Sequence, residues 1–245
     1  MCDLYIHSNF ALKMKHKFLL FVVLSLIIGT TYAKSNEMKT NSKTLRLIYP
    51  QWQGGVVASW MPDIPANDVS RGYFLGAQLL QVLAPESKQQ TVEVPISLDM
   101  ESHKEEKGIS GAIIKQSKDA LDLIRRENPD RIVTLGGECS VSVVPFTYLA
   151  EKYPDDVAVV WIDAHPDLNL PGDSYTGYHA MALTACFGMG DKEIVDLFPA
   201  KLNPSKSIIV GLRAWNDTNA SKERQEEIGV ESLSPAHVAQ NSTAV

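Results

Sequence analysis

Two carboxylates and one imidazole stand at alternate positions directly after an apolar run at residues 157–162. They are Asp163, His165 and Asp167, and such a run is typical of a buried strand in a parallel sheet. Alternate side chains of an extended segment point the same way, so we predict that these three converge on a divalent cation, which takes carboxylate and imidazole ligands. A helix N-cap is the alternative, but it would explain only one Asp, and Pro166 disfavours an immediate helix.

Two further segments place residues with reactive side chains at turns. Residues 135–140 read Leu-Gly-Gly-Glu-Cys-Ser, and residues 177–180 read Gly-Tyr-His-Ala. Together with Asp-Ala-His-Pro-Asp-Leu-Asn at 163–169, these segments resemble three motifs of the ureohydrolase family, which includes arginase, agmatinase and formimidoylglutamase. The resemblance extends over about residues 45–235. A deacetylase-like relative, which shares the fold and an Asp-x-His motif, is disfavoured by the 135–140 segment and by Asp167.

The resemblance implies a site with two manganese ions and a bridging hydroxide that attacks a guanidinium or amidine carbon and expels urea or ammonia. It implies that Asp163 bridges the ions, that His165 binds one of them and that Asp167 binds the other. It also implies that His179 passes a proton to the leaving amine, a general acid–base role suited to imidazole. The alternative for His179 is a surface histidine at a helix N-terminus. The expected partner is a small-molecule amidine substrate.

Two polar residues near these motifs are candidate substrate contacts. By the resemblance, Asn169 matches a position that contacts the substrate's α-carboxylate in arginases, and Ser174 matches a nearby substrate-contacting serine. A simple turn asparagine is the alternative for Asn169. The loop around Ser174 is one residue shorter than in arginases, which leaves its register open.

Cys139 departs from the family pattern, because the family has a metal-ligating histidine at this position. A thiolate is a softer ligand than imidazole, so a ligating Cys139 favours zinc or iron over manganese. The alternative is that Cys139 is a small buried hydrophobe and that one metal position is weakened or empty. Cys186 stands at core spacing on the helix after His179 and is interpreted as inert packing.

A second departure lies beyond Arg213, where no Ser-Phe-Asp-x-Asp segment follows. By the resemblance, that segment ends a further strand, and its first Asp bridges both metals. Two strands of the family's sheet, between the strand before Gly136 and the strand before Asp163, are therefore expected to be missing from a C-terminally truncated chain. The leading hypothesis is an arginase-family metal-dependent hydrolase of C–N bonds in linear amidines. The alternative is a truncated, catalytically inactive remnant that binds metal.

The order of elements predicts an α/β fold with a doubly wound, mostly parallel sheet and helices on both faces. Strands are predicted at 45–49, 91–96, 131–135, 157–162 and 207–210, and helices at about 69–83, 109–127, 140–153, 179–189 and 191–198. Ligands of such sheets bind just beyond the carboxyl ends of strands, where the three motifs stand. Residues 45–245 are interpreted as one arginase-like domain that lacks its last central strands.

The first 33 residues are predicted to be a signal peptide. Basic residues at 13–17 precede an apolar run at 18–28, and Thr-Tyr-Ala at 31–33 offers a small-residue cleavage site. A membrane anchor is the alternative, but the run is shorter than the roughly 20 residues that cross a bilayer. We therefore expect an exported protein, periplasmic or secreted, with a disordered lead-in at 34–44 and no membrane span in the mature chain.

Charge and cysteine content narrow the range of partners. The formal net charge of -6 argues against a nucleic-acid partner, because phosphate binding needs a basic face. Three cysteines are too few for a disulfide scaffold. The resemblance suggests a homo-oligomer, which no sequence feature demonstrates.

Overall fold

The structure, a computed structural model, describes residues 42–57, 61–103, 109–214 and 220–240. Its strands are β1 (Thr44–Tyr49), β2 (Gln90–Glu93), β3 (Arg131–Gly136), β4 (Val159–Ile162), β5 (Ser207–Val210) and β6 (Glu231–Leu233). Its α-helices are α1 (Ala66–Leu83), α2 (Gly111–Glu127), α3 (Val143–Lys152), α4 (Ala182–Cys186), α5 (Lys192–Val195), α6 (Ala220–Ile228) and α7 (Pro235–Gln240). Short 3-10 turns at Cys139–Ser142 and Tyr178–Met181 precede α3 and α4. The predicted signal peptide and most of the predicted lead-in lie outside the described residues.

The strands form two parallel three-stranded sheets, in the orders β2-β1-β3 and β4-β5-β6. In the first sheet Tyr49 lies opposite Gly136, and in the second Ile162 lies opposite Val210, so neighbouring strands end together. The turn after β3 and the loop after β4 therefore both begin at carboxyl ends of strands, where ligands of parallel α/β sheets bind. The predicted α/β class with parallel strands is confirmed.

Helix α2 shows how local sequence sets an element and joins the two sheets. Its N-terminus is capped by Ser110, whose Oγ accepts a hydrogen bond from the Ile113 N–H at 3.3 Å. Its C-terminus is closed by Asn128 in the left-handed conformation, with φ of 46°, and Pro129 cannot continue the helix. Ile113 packs in the core that contains β4 and β5, and Ile124 packs in the core that contains β1.

Strand β4 departs from its predicted environment. The apolar run at 157–162 predicted a strand covered on both faces, but Val160 and Ile162 are 51% and 80% exposed. That prediction is wrong, because only the face that carries Val159 and Trp161 is buried. Strands β3 and β4 are each the last strand of their sheet in the part of the chain that the structure describes. The two missing strands predicted between β3 and β4 stay a prediction.

Smaller differences concern element ends. Strand β2 ends at Glu93 rather than at residue 96, and α5 covers only Lys192–Val195. Strand β6 was not predicted, because it has three residues, of which Glu231 and Ser232 are exposed, and therefore shows no apolar signal. It exists through its parallel pairing with β5. In the described segments, no helix combines the length and apolarity that a membrane crossing needs.

Candidate metal centre

The turn after β3 and the loop after β4 bring three candidate ligands together. The Cys139 sulfur and one carboxylate oxygen each of Asp163 and Asp167 lie within 4.8 Å of one another. Cys139 thus meets Asp163, which is 24 positions away in the sequence, and Asp167 at the carboxyl ends of two strands. A thiol and two carboxylates are a donor set for a divalent cation such as zinc.

Asp163 is held by backbone contacts on both sides. Its N–H donates to the Val210 carbonyl at 3.0 Å, which continues the β4–β5 pairing. Its Oδ1 accepts from the His165 N–H at 2.9 Å, while its Oδ2 lies 3.9 Å from the Cys139 sulfur. Gly211 has φ of 93° and approaches the Asp163 carbonyl so closely that a Cβ would lie 3.2 Å from it. The carboxylate is therefore oriented by the loop itself, with Oδ2 towards the other candidate ligands.

Asp167 carries the clearest sign of a cation site. Its backbone has φ of 49°, a left-handed conformation that costs energy in a non-glycine residue and is held here by hydrogen bonds from α4 to its carbonyl. Its side chain is 1% exposed, and its Oδ2 has no hydrogen-bond partner among protein atoms. Burial and the nearby charge of Asp163 raise the pKa of Asp167 to about 8. A carboxylate in this position lacks a counter-charge, which a bound cation would supply.

The Cys139 thiol responds to the same environment. Burial raises the pKa of this thiol far above its usual range, and the charges of Asp167, Glu138 and Asp163 raise it further. Without a cation, the thiol therefore stays protonated. A divalent cation between the thiol and the two carboxylates would reverse this effect, because a coordinating thiol loses its proton. These three side chains are therefore better accommodated with a bound metal ion than without one.

His165 lies beside the cluster rather than in it. Its side chain is partly exposed, and its Nδ1 lies 3.7 Å from Asp163 Oδ1. Strict alternation predicted that Asp163, His165 and Asp167 all converge, but the backbone bends at 163–165, and Cys139 takes the third position. The ligand role of His165 remains a prediction.

His179 is buried in the 3-10 turn before α4, so the surface-histidine alternative does not describe its position. Its Nδ1 lies 3.0 Å from the Gly54 carbonyl oxygen, and the backbone N–H of His179 donates to the same oxygen at 3.1 Å. Because a carbonyl can only accept, Nδ1 carries the proton in the neutral ring. The Tyr175 hydroxyl lies 3.2 Å from Nε2, which is therefore the acceptor nitrogen. A cavity of about 340 Å³ is lined by Gly54, which holds this histidine, and by Gly177 and Tyr178, which precede it in the chain.

The two candidate substrate contacts lie in different environments. Asn169 is fully buried, and its Nδ2 donates to the Tyr175 carbonyl at 3.3 Å, so it closes the loop after β4 as a turn asparagine does. Its Oδ1 has no partner among protein atoms. Ser174 is exposed on the same loop. Substrate contacts by either residue remain predictions.

Helix α6 clamps the loop that carries Asp167. Arg224 donates to both carboxylate oxygens of Asp173, at 2.9 and 3.1 Å, and also to the Leu168 carbonyl. Asp173 in turn accepts from the Leu170 N–H at 2.8 Å. The side chains of Arg224 and Asp173 are only 14% and 11% exposed. Residues 221–227 are mostly charged or polar, which is typical of a solvated helix face, so the sequence alone does not reveal this clamp.

We expect Arg224→Ala to lower the free energy of unfolding by about 3 kcal/mol, because it leaves Asp173 mostly buried without its partner. Arg125→Ala is the matched control, since the Arg125–Glu151 pair is 49% and 44% exposed and should contribute less than about 1 kcal/mol. Urea unfolding followed by circular dichroism measures both. Equal losses in the two variants would contradict the clamp.

Fold and site together define an α/β protein with a candidate metal centre at the carboxyl ends of its parallel strands. The family model described as "Arginase family" matches residues 77–245, so the chain belongs to the arginase family, as its motifs predicted. It is 32% identical over 129 residues to an arginase of Staphylococcus aureus (strain MSSA476), a match that covers 50% of this chain and 42% of that protein. The chain thus spans less than half the length of this relative.

Solved structures support the same fold. The arginase of Entamoeba histolytica, in complex with L-ornithine, matches with a TM-score of 0.66 and 17% identity, over 82% of this chain and 67% of that chain. The native arginase of Bacillus caldovelox matches with a TM-score of 0.60 and 18% identity, over 83% of this chain and 68% of that chain. At these identities, the likeness concerns the fold.

Proposed function

We propose that the protein hydrolyses a C–N bond of a linear amidine or guanidino compound, with release of urea or ammonia, and that Cys139, Asp163 and Asp167 hold the divalent cation this requires. The observation that carries the proposal is the buried Asp167 carboxylate, whose Oδ2 is unpartnered beside two other donors. Membership of the arginase family supports the reaction class. The L-ornithine bound to the E. histolytica arginase supports a small amine-bearing compound as the kind of molecule this site accepts.

A bound divalent cation lowers the pKa of a coordinated water so that it can act as a nucleophile at neutral pH. The chain's own residues do the rest. Asp163 and Asp167 provide negative charge at fixed positions, and His165, whose Nδ1 lies 3.7 Å from Asp163 Oδ1 beside the cluster, is the fourth candidate ligand. His179 keeps its Nδ1 proton on the Gly54 carbonyl and exchanges a second proton at Nε2, which suits it to protonate the leaving amine.

The donor set favours zinc over manganese. The three clustered donors include a thiol, and soft sulfur ligands select zinc, whereas manganese prefers oxygen ligands. Four described residues lie in or beside the cluster: Cys139, Asp163, Asp167 and His165. Four ligands are enough for one ion. We therefore propose one zinc ion in this chain rather than the manganese pair implied by the resemblance.

A second candidate function is metal binding without catalysis. It would need only the donors of one cation, which are Cys139, Asp163 and Asp167. In this case the protein would retain the cation but turn over no amidine.

Metal content and product release distinguish these candidates. The purified chain is dialysed against zinc or manganese, its metal content is measured by mass spectrometry, and urea and ammonia are assayed with arginine, agmatine and formimino compounds. Cys186→Ala is the control, because this cysteine is fully buried outside the cluster. Metal together with product supports hydrolysis, and metal without product supports the second candidate. Absence of both would contradict both candidates.

Export is a separate proposal, supported by the basic and apolar N-terminal segment at 13–28. N-terminal sequencing of the protein recovered from the host's exported fraction tests it. A mature N-terminus near Lys34 is expected, and retention of residues 1–33 on intracellular protein would contradict it.

A further inference from the structure

A directional chain of buried amides runs from the β2 side of the fold to the turn after β3. The Ser97 backbone N–H donates to Gln116 Oε1 at 2.9 Å, and a backbone N–H can only donate. This contact fixes the orientation of the Gln116 amide, whose Nε2 then donates to Gln51 Oε1 at 2.9 Å. The Gln51 amide is oriented in turn, so its Nε2 must point to an acceptor. Both glutamine side chains are at least 98% buried.

Glu138 is the acceptor at the end of this chain. Its Oε1 accepts from Gln51 Nε2 at 2.8 Å and from the Ser140 hydroxyl at 2.6 Å, and its Oε2 accepts from the Ser140 N–H at 2.8 Å. Three donors converge on one buried carboxylate, which as an acceptor-only group satisfies them all. Gly137 packs against the Gln51 carbonyl with no room for a Cβ. The turn after β3 and the loop after β1 are thereby locked together.

Gly54 lies between Glu138 and His179. A Cβ on Gly54 would lie 2.6 Å from Glu138 Oε1, so the carboxylate abuts the glycine backbone directly. On its other side, the Gly54 carbonyl accepts both the His179 N–H and the Nδ1 proton. The position of this carbonyl decides which ring nitrogen of His179 carries the proton.

We propose that Glu138 is a positioning residue for His179. It fixes the loop that contains Gln51 and Gly54, and through the Gly54 carbonyl it holds the neutral imidazole with its proton on Nδ1 and its acceptor nitrogen, Nε2, towards Tyr175. The importance of this orientation for turnover rests on the proposed function, in which Nε2 exchanges the catalytic proton. The orientation itself does not depend on activity or on a bound metal.

Nitrogen NMR of the full chain labelled with ¹⁵N-histidine tests the proposal at about pH 8, where an ordinary imidazole is neutral. The chain has six histidines, and the His179 signals are assigned by their loss in His179→Gln. In the wild type we expect the Nδ1–H tautomer to exceed the Nε2–H tautomer by about tenfold or more, the effect of one buried hydrogen bond. Glu138→Gln replaces one acceptor oxygen by a donor and should lower that ratio at least about threefold.

Glu151→Gln is the matched control, since Glu151 lies on the protein surface. The His179 tautomer ratio in this variant should equal that of the wild type. If Glu138→Gln does not fold, Glu138→Asp replaces it, because the shorter carboxylate withdraws from Gly54 and should shift the ratio in the same direction. In an active chain, kcat should fall in the Glu138 variants with KM little changed.

A wild type whose His179 carries its proton on Nε2, or folded Glu138 variants with an unchanged tautomer ratio, would overturn the proposal. Failure of both variants to fold would overturn it too, because Glu138 would then be a residue of stability. If the wild type hydrolyses no amidine but the Glu138 variants still shift the His179 tautomer ratio, only the proposed function is contradicted.

Discussion

Asp167→Asn is expected to abolish binding of the divalent cation and, at the same time, to stabilise the metal-free chain at alkaline pH. Both effects come from the same feature, a carboxyl group that is 1% exposed, lacks a partner for Oδ2 and lies near Asp163. The amide removes the charge that the cation needs. It also removes the charge that the metal-free fold must bury.

The pH window follows from the pKa of Asp167, which rises from an ordinary value of 3.8 to about 8 in the folded chain. Between these values the folded chain binds a proton that the unfolded chain has lost, so the free energy of unfolding falls as pH rises. The loss in the metal-free wild type should be on the order of 5 kcal/mol above pH 8 and absent below pH 4. Asp167→Asn has no such loss, because its amide does not titrate.

Urea unfolding at several pH values, with and without zinc, measures both effects. At 100 times its dissociation constant, zinc should stabilise the wild type by about 3 kcal/mol, whereas it should leave Asp167→Asn nearly unchanged. Asp156→Asn is the matched control, since Asp156 is exposed and lies outside the cluster. The account is wrong if Asp167→Asn keeps its zinc response or shows the same decline in stability with pH as the wild type.

Cys139→His is expected to lower the preference for zinc over manganese by at least about tenfold, which corresponds to about 1.4 kcal/mol. The physical reason is that a soft thiolate selects zinc over manganese more strongly than the harder imidazole does. The variant should also change the number of protons released when zinc binds. Zinc binding to the wild type near pH 7 should release about two protons, one from the Cys139 thiol and one from Asp167, whose pKa values are both raised. Zinc binding to Cys139→His should release only about one proton, the one from Asp167.

Competition titrations of zinc against manganese, and calorimetry in buffers with different ionisation enthalpies, give the two quantities. Cys186→Ala removes the other described cysteine from a fully buried position in the core and should change neither. An unchanged zinc preference in Cys139→His would show that Cys139 is only a packing residue, the alternative that the sequence left open.

The parts of the fold that could be predicted are those fixed by local sequence. Helix α2 follows from its apolar stripe and the Asn128–Pro129 stop. The position of Asp163 and Asp167 after an apolar strand predicted a metal site, and these two residues do meet. Cys139 was a candidate only through the family motif, because nothing near it in the sequence says what it faces.

The contacts that escaped prediction join residues distant in sequence. Gln51 and Glu138 are 87 positions apart, and Arg224 and Asp173 are 51 apart. Their side chains look like ordinary surface polar groups until tertiary packing buries them. His165 shows a different limit, since strict alternation assumes an extended backbone, and the chain bends at 163–165. The exposed face of β4 could not be read from an apolar run, because composition does not show what packs on a strand.

X-ray absorption at the zinc edge of the zinc-loaded full chain tests the central claim most directly. If Cys139, Asp163 and Asp167 hold the cation, the first shell contains one sulfur at about 2.3 Å with oxygen or nitrogen ligands at about 2.0–2.2 Å, and the sulfur is lost in Cys139→His. A shell of oxygen and nitrogen alone in the wild type, or a chain that retains no zinc after dialysis, would contradict the claim.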